Sequence, residues 1–73
     1  MTVIVAREFE PGRFQLAAKF RLSKTGRGAI AAKYRGTIES HIGRTAAKYF
    51  AAEPAAATID YEINGRKYRA SAY

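Results

Sequence analysis

Hydrophobic and polar residues alternate over the first part of the chain, along residues 2–10 and again along residues 13–22. Alternation with a period of two is typical of β-strands that bury one face. Pro11-Gly12 separates the two runs and indicates a turn, so we predict a β-hairpin over residues 2–22. The simplest register gives one mainly apolar face, on which Val3 pairs with Phe20, Val5 with Ala18, Arg7 with Leu16 and Phe9 with Phe14.

The last part of the chain has a second alternating pattern. Residues 58–63 and 66–72 alternate, and Asn64-Gly65 between them is the pair that a two-residue type I′ turn requires. The predicted pairs are Ile63 with Arg66, Glu62 with Lys67, Tyr61 with Tyr68, Asp60 with Arg69 and Ile59 with Ala70. Because opposite charges and aromatic pairs then face each other, we predict a hairpin over residues 56–73 in this register.

Between the hairpins, apolar residues recur with the spacing of an α-helix. We predict one helix over residues 29–53, ended by Pro54 and preceded by a loop at residues 23–28, with Ser23 or Thr25 as the N-terminal cap. The predicted stripe that faces the sheet is Ile30, Tyr34, Ile38, Ile42 and Tyr49. The predicted solvent side is Lys33, Ser40, Arg44, Ala47 and Ala51.

These elements predict an α+β fold of the order β-β-α-β-β in a single small domain, residues 1–73. We expect a four-stranded, mostly antiparallel sheet with one helix packed on one face and the other face open. A sheet with its first and last strands central and parallel would resemble the β-grasp arrangement of small immunoglobulin-binding domains. A resemblance of topology implies no function, so the function has to be inferred from the surface.

Size and charge narrow the class of function. A chain of 73 residues buries only roughly 60% of its unfolded surface, which disfavours a deep active-site cleft. Thirteen Lys and Arg against six Asp and Glu give a net charge of +7, which favours nucleic acid or an acidic protein surface as the partner. The sequence has no cysteine, and its short apolar start predicts neither a signal peptide nor a membrane span. We therefore expect a cytoplasmic protein that does not bind a membrane.

Residues that could carry catalysis are sparse. Glu8, Glu10, Asp60 and Glu62 each face a basic or amide residue in the predicted hairpins, so cross-strand ion pairing explains them better than a catalytic carboxylate pair. His41 is the only histidine and has no second ligand at helical spacing. We predict that the protein is not an enzyme and has no catalytic residue, cofactor or metal ion.

The excess positive charge is concentrated in the middle of the sequence. Residues 1–22 sum to +2, residues 23–53 to +4 and residues 54–73 to +1. We therefore predict that nucleic acid or an acidic partner binds the loop and the helix, although a solvated helix face without a ligand explains the same charges. The candidate residues are Lys24, Arg27, Lys33, Arg35, Arg44 and Lys48. The open sheet face is the second candidate, with Lys19, Arg21, Lys67, Arg69 and Tyr73.

The predicted helix also carries a ridge of small side chains on its solvent side, formed by Ala32, Gly36, Ser40, Gly43 and Ala47. An internal glycine costs about 1 kcal/mol in a helix relative to alanine, so the two glycines need a cause. A ridge of this kind lets another helix or a nucleic-acid backbone approach closely. A homodimer formed through this ridge is one explanation, and the high alanine content of the chain is the other.

Residues 31–45 resemble the helix-turn-helix core of phage repressors. Ala32 and Gly36 stand four positions apart, and Ile42 follows six positions later. In that family the alanine lets two helices cross and the glycine makes the turn between them, so the resemblance implies a break at Gly36 and a second helix in the major groove. It would make four residues groove-facing, namely Ser40, His41, Arg44 and Lys48.

Three functional hypotheses follow. The first is a non-enzymatic module that docks on nucleic acid or a nucleoprotein complex through the basic helix face, with an affinity that falls steeply with salt. The second is a phage-encoded inhibitor, similar in size and in its lack of catalytic residues to anti-CRISPR proteins. It would bind a host defence complex in the host cytoplasm and block it, without binding bare nucleic acid. The third is a helix-turn-helix regulator, and we favour the first.

Overall fold

Four strands and one α-helix make up the described part of the chain, which in this computed structural model comprises residues 1–23, 28, 30, 32–52 and 58–72. The elements are β1 (Thr2–Glu10), β2 (Arg13–Arg21), α1 (Ile38–Ala52), β3 (Thr58–Ile63) and β4 (Arg66–Ala72). The sheet order is β2-β1-β4-β3, and all three neighbouring pairs are antiparallel. The predicted α+β fold is therefore confirmed. The central pair is β1 and β4, as in the β-grasp arrangement, but these strands are antiparallel and the resemblance fails.

The β3–β4 hairpin has the predicted register at every pair, from Ile63 with Arg66 outward. Asn64 and Gly65 have φ angles of 53° and 74°, the left-handed conformation that a type I′ turn requires at both central residues. Arg69 donates a hydrogen bond from Nε to Oδ1 of Asp60 over 2.9 Å. Turn chemistry and cross-strand charge therefore determine this register together.

The β1–β2 hairpin follows the predicted register at both ends, where Glu10 pairs with Arg13 beside the turn as expected, and departs from it between two bulges. The observed pairs include Val3 with Phe20, Val5 with Ala18, Ala6 with Leu16, Arg7 with Gln15 and Glu8 with Phe14. The first two were expected, and the others differ because Ala17 is an extra residue on β2 and Phe9 is an extra residue on β1. Each bulge shifts the alternation by one residue. Phe14 and Leu16 consequently lie on the open face of the sheet, and not on the predicted apolar face.

The single predicted helix over residues 29–53 is too long, because the chain turns at Gly36. Gly36 has a φ of 76°, which a helix interior does not allow, and only a short 3-10 turn (Ala32–Tyr34) precedes it within the described residues. The helix α1 begins after Thr37, whose Oγ1 accepts the backbone N–H of Ser40 over 3.1 Å. Thr37 is therefore the N-terminal cap of the helix, in place of Ser23 or Thr25.

The core lies between α1 and one face of the sheet. The strand residues buried there are Val3, Val5, Ala18, Phe20, Tyr68 and Ala70, and those of α1 are Ser40, Ile42, Gly43, Ala46, Ala47 and Phe50. Ile38 and Tyr49 of the predicted stripe are 37% and 47% exposed, so the helix is rotated relative to the prediction. The reason is close packing, since Gly43 lies directly over the ring of Phe20. Small residues bring the helix near the sheet, and the large Phe20 side chain fills the space.

The small-residue ridge is not a surface for a second copy of the chain. Ser40, Gly43 and Ala47 face the sheet and are buried, while Ala32 and Gly36 precede α1 and are exposed. The predicted homodimer contact through this ridge is therefore wrong, because three of its five residues already pack inside the molecule. The glycine at residue 43 has its cause in the contact with Phe20.

Candidate nucleic-acid interface

The outer face of α1 carries Arg44 and Lys48, two of the predicted binding residues. They lie one helical turn apart, they are exposed, and neither has a hydrogen bond or ion pair with another described residue. His41 is exposed one turn before Arg44 and extends the same face. Glu39, the only acid of α1, lies about 160° from His41 around the helix axis at 100° per residue. This outer face (His41, Arg44 and Lys48) is therefore not neutralised by its own helix.

Lys33 and Arg35 are exposed but belong to the segment before α1, so the structure does not place them on the outer face. The Nζ atom of Lys33 lies 4.9 Å from the centre of the Tyr34 ring, a cation–π contact. Arg35 donates from Nε to the backbone oxygen of Ile30 over 3.4 Å. Both contacts lie ahead of the helix cap and engage these two cations within the chain. The predicted residues Lys24, Arg27 and Tyr73 lie outside the described residues.

Tyr49 is an exposed aromatic residue of α1, about 100° around the helix axis from Lys48, and the sequence prediction assigned it to the core. Its ring is 47% exposed and packs edge-on against Phe50, with 6.2 Å between ring centres. Burial, together with the nearby Tyr49, raises the pKa of Tyr61 above its ordinary value. An exposed aromatic ring can stack on a nucleobase. Periodicity gave no signal for it, because a large apolar residue in a helix is usually buried.

On the open sheet face, Arg69 is held by the protein itself. Besides its hydrogen bond to Asp60, its guanidinium carbon lies 4.2 Å from the centre of the Phe14 ring. The hydrogen bond from Arg69 holds the pKa of Asp60 below its ordinary value, and the pKa of Arg69 is raised for the same reason. This arrangement makes Arg69 a structural residue of the sheet. It is poorly suited to the role of phosphate ligand predicted for it.

The open face is polarised along the strands. At one end, Lys19 and Arg21 of β2 are paired across the sheet with Ile4 and Thr2, and a side-chain contact of 3.4 Å joins the hydroxyls of Thr58 and Ser71 further across. At the other end lie the described carboxylates of this face, Glu8, Asp60 and Glu62, with Lys67 and Arg69 among them. The predicted second surface therefore divides. Lys19 and Arg21 lie at the end without described carboxylates, whereas Lys67 and the ion-paired Arg69 lie among the acids.

The helix-turn-helix interpretation loses its structural basis in the described residues. The turn at Gly36 is present, as the resemblance implied, but the chain before it contains only the three-residue 3-10 turn within the described part. Ser40, one of the four residues expected to face the groove, is buried against the sheet. A first helix that crosses the second is required for that mode of binding.

No protein-family model, curated protein or solved structure matches this chain. Within the described residues, no helix combines the length and the apolar character that a membrane crossing needs. The function is therefore inferred from the surfaces described above.

Proposed function

We propose that this protein is a non-enzymatic nucleic-acid-binding module that contacts phosphates through the outer face of α1. The observation that carries the proposal is the placement of two exposed cations without an ion pair to a described residue, one helical turn apart on α1. Arg69 and Arg13 are engaged with Asp60 and Glu10, at 2.9 Å and 3.7 Å, whereas Arg44 and Lys48 have no such partner among the described residues. Unpaired, exposed cations one turn apart on a rigid helix are the groups that phosphate contacts use.

The remainder of the molecule supports this role. The net charge of +7 attracts polyanions from a distance and speeds their association. Tyr49 offers an exposed ring for a splayed base, which favours single-stranded segments. Contacts of this kind need no bound metal or catalytic side chain. The proposal places the protein in the cytoplasm, where it meets nucleic acid.

The test is a salt titration of binding by fluorescence anisotropy, with short single-stranded DNA, single-stranded RNA and duplex DNA as probes. The variant R44E/K48E removes two phosphate contacts and should lower the slope of log K against log salt by about 2 on duplex DNA. The control variant R13E/R66E makes the same change in net charge at the turn ends of the hairpins, and both of its residues are exposed.

An equal loss in R44E/K48E and R13E/R66E would show that only net charge matters and would reject the outer face as the site. Circular dichroism must show that both variants keep the fold. If the wild-type protein binds none of the three probes but forms a stable complex with a host protein, this proposal is rejected in favour of the phage-encoded inhibitor hypothesis.

A further inference from the structure

We infer that the free edge of β2 binds an extended acidic segment of a partner protein, which joins the sheet beside β2 as a fifth strand. This inference concerns a different surface from the outer face of α1 and does not depend on nucleic-acid binding. It rests on three features of β2: its unpaired backbone, its charge and one exposed apolar side chain.

Within the described residues, the backbone of β2 is paired on one side only, because β1 is its sole strand neighbour there. This edge is nine residues long, whereas the opposite edge strand β3 has six. An unpaired edge presents a row of backbone N–H and C=O groups, and an extended peptide can add a strand to the sheet by hydrogen bonding to them. Gly28 lies beside the carbonyl of Arg21, so the free part of the edge ends at that residue.

The charge of β2 selects an acidic occupant. The strand contains Arg13, Lys19 and Arg21 and no acid. Lys19 and Arg21 lie exposed on the open face, and neither has an ion pair or hydrogen bond with another described residue. Side chains directly opposite on neighbouring strands have Cβ atoms about 4.5–5.5 Å apart. Carboxylates of an added strand would therefore reach both cations.

Leu16 gives the added strand a third recognition point. It is 61% exposed, the highest value among the large hydrophobic residues of the described chain. A strand antiparallel to β2 meets Arg21 first, then Lys19, then Leu16. The fitting segment therefore has two acids separated by one residue, followed two or three positions later by an apolar residue, because Ala17 is an extra residue on β2.

A second copy of this chain is a poorer occupant than an acidic partner. Two β2 edges paired antiparallel around Ala17 would place Arg13 opposite Arg21 at both ends, and like charges across a strand pair are destabilising. The acidic strand β3 does not fit well either. Its Asp60 is hydrogen-bonded to Arg69 and its Glu62 is opposite Lys67 within the same molecule.

The experiment uses the full chain labelled with ¹⁵N and a capped nine-residue peptide with Glu-Val-Glu-Val-Leu at its centre. We expect the peptide to shift the amide signals of residues 13–21 and to slow their hydrogen exchange. The same peptide with Lys in place of both Glu should bind at least tenfold more weakly. The variant K19E/R21E should lose at least tenfold in affinity, whereas R44E/K48E should stay within twofold of the wild type.

Four results would overturn the inference. The first is shifts confined to α1, and the second is equal affinity for the Glu and Lys peptides. The third is concentration-dependent pairing of β2 with itself in the absence of peptide. Strong perturbation of residues 13–21 by an oligonucleotide, with none by the Glu peptide, would reassign the edge to nucleic acid. If K19E/R21E unfolds, K19Q/R21Q measures the same contacts without charge reversal.

Discussion

Gly43 provides the most direct test of how α1 packs on the sheet. A Cβ atom added at this residue would lie 2.5 Å from Cε2 and 2.6 Å from Cδ2 of Phe20. Non-bonded carbon atoms pack at about 3.5–4.0 Å, so the ring would have to move by about 1 Å. The Phe20 ring is buried and packs edge-on against Tyr34, with 5.3 Å between ring centres. It therefore cannot move without disturbing the core.

The substitution G43A should destabilise the protein even though alanine favours the helix. The better helix propensity of alanine contributes about 1 kcal/mol, whereas overpacking a filled core costs about 1–3 kcal/mol. The expected net loss in free energy of unfolding is therefore about 1 kcal/mol, within a range of about 0–2 kcal/mol. In a chain of 73 residues, each 1 kcal/mol lowers Tm by about 4–8 °C.

Urea denaturation followed by far-ultraviolet circular dichroism measures this change. Thr45 is exposed on the same helix, so the difference between T45A and T45G gives the propensity contribution alone. The substitution F20L makes room at the contact, and G43A should cost less in that background. The difference in free energy of unfolding between T45A and T45G is the gain expected from helix propensity alone. If G43A raises the free energy of unfolding by that full amount, the contact with Phe20 is absent and the described packing of α1 is refuted.

Three further expectations concern the cap, the turn and an ion pair. Thr37→Ala removes the oxygen that accepts the Ser40 N–H and should lower the free energy of unfolding, measured by urea denaturation, by about 1 kcal/mol. Thr37→Ser keeps a hydroxyl at this position and should retain most of the cap's stabilisation. Gly36→Ala should cost about 1–2 kcal/mol in thermal melts despite open space around it, because its φ is 76°, and Gly36→Asn should cost less. The hydrogen bond from Arg69 lowers the pKa of Asp60 from its ordinary 3.8 in the folded protein. The Asp60–Arg69 pair therefore stabilises the fold above about pH 4, and this stabilisation is lost as the pH falls through the lower folded-state pKa. Melts between about pH 5 and pH 2 should therefore decline less steeply for Asp60→Asn, and identical declines would contradict this assignment.

The second hairpin could be predicted from sequence because its information is local. Asn64-Gly65 adopts the left-handed conformation, and the cross-strand charges agree with the register that the turn specifies. The first hairpin lacks such a turn. Its alternating pattern does not reveal that Phe9 and Ala17 are extra residues, because a bulge changes the pairing without changing the composition.

The orientation of α1 could not be predicted from the positions of its large side chains. The assumption that Ile38 and Tyr49 face the core fails because the space above the sheet is already filled by Phe20. Which helix face is buried depends on how closely two surfaces approach, and that distance is a property of both surfaces together. The exposure of Arg44 and Lys48 was predicted, since both rotations of the helix leave them outside.

The central position of β1 and β4 affects how the chain can reach its native state. Nearly the whole chain separates Val3 from its strand partner Ala72, so the middle of the sheet closes only after the final strand has left the ribosome. Until then β1 exposes an edge that β4 later covers. Contacts so distant in sequence slow the search for the native topology. A truncation that removed β4 would therefore divide the sheet in two, with β1 and β3 left without their shared neighbour.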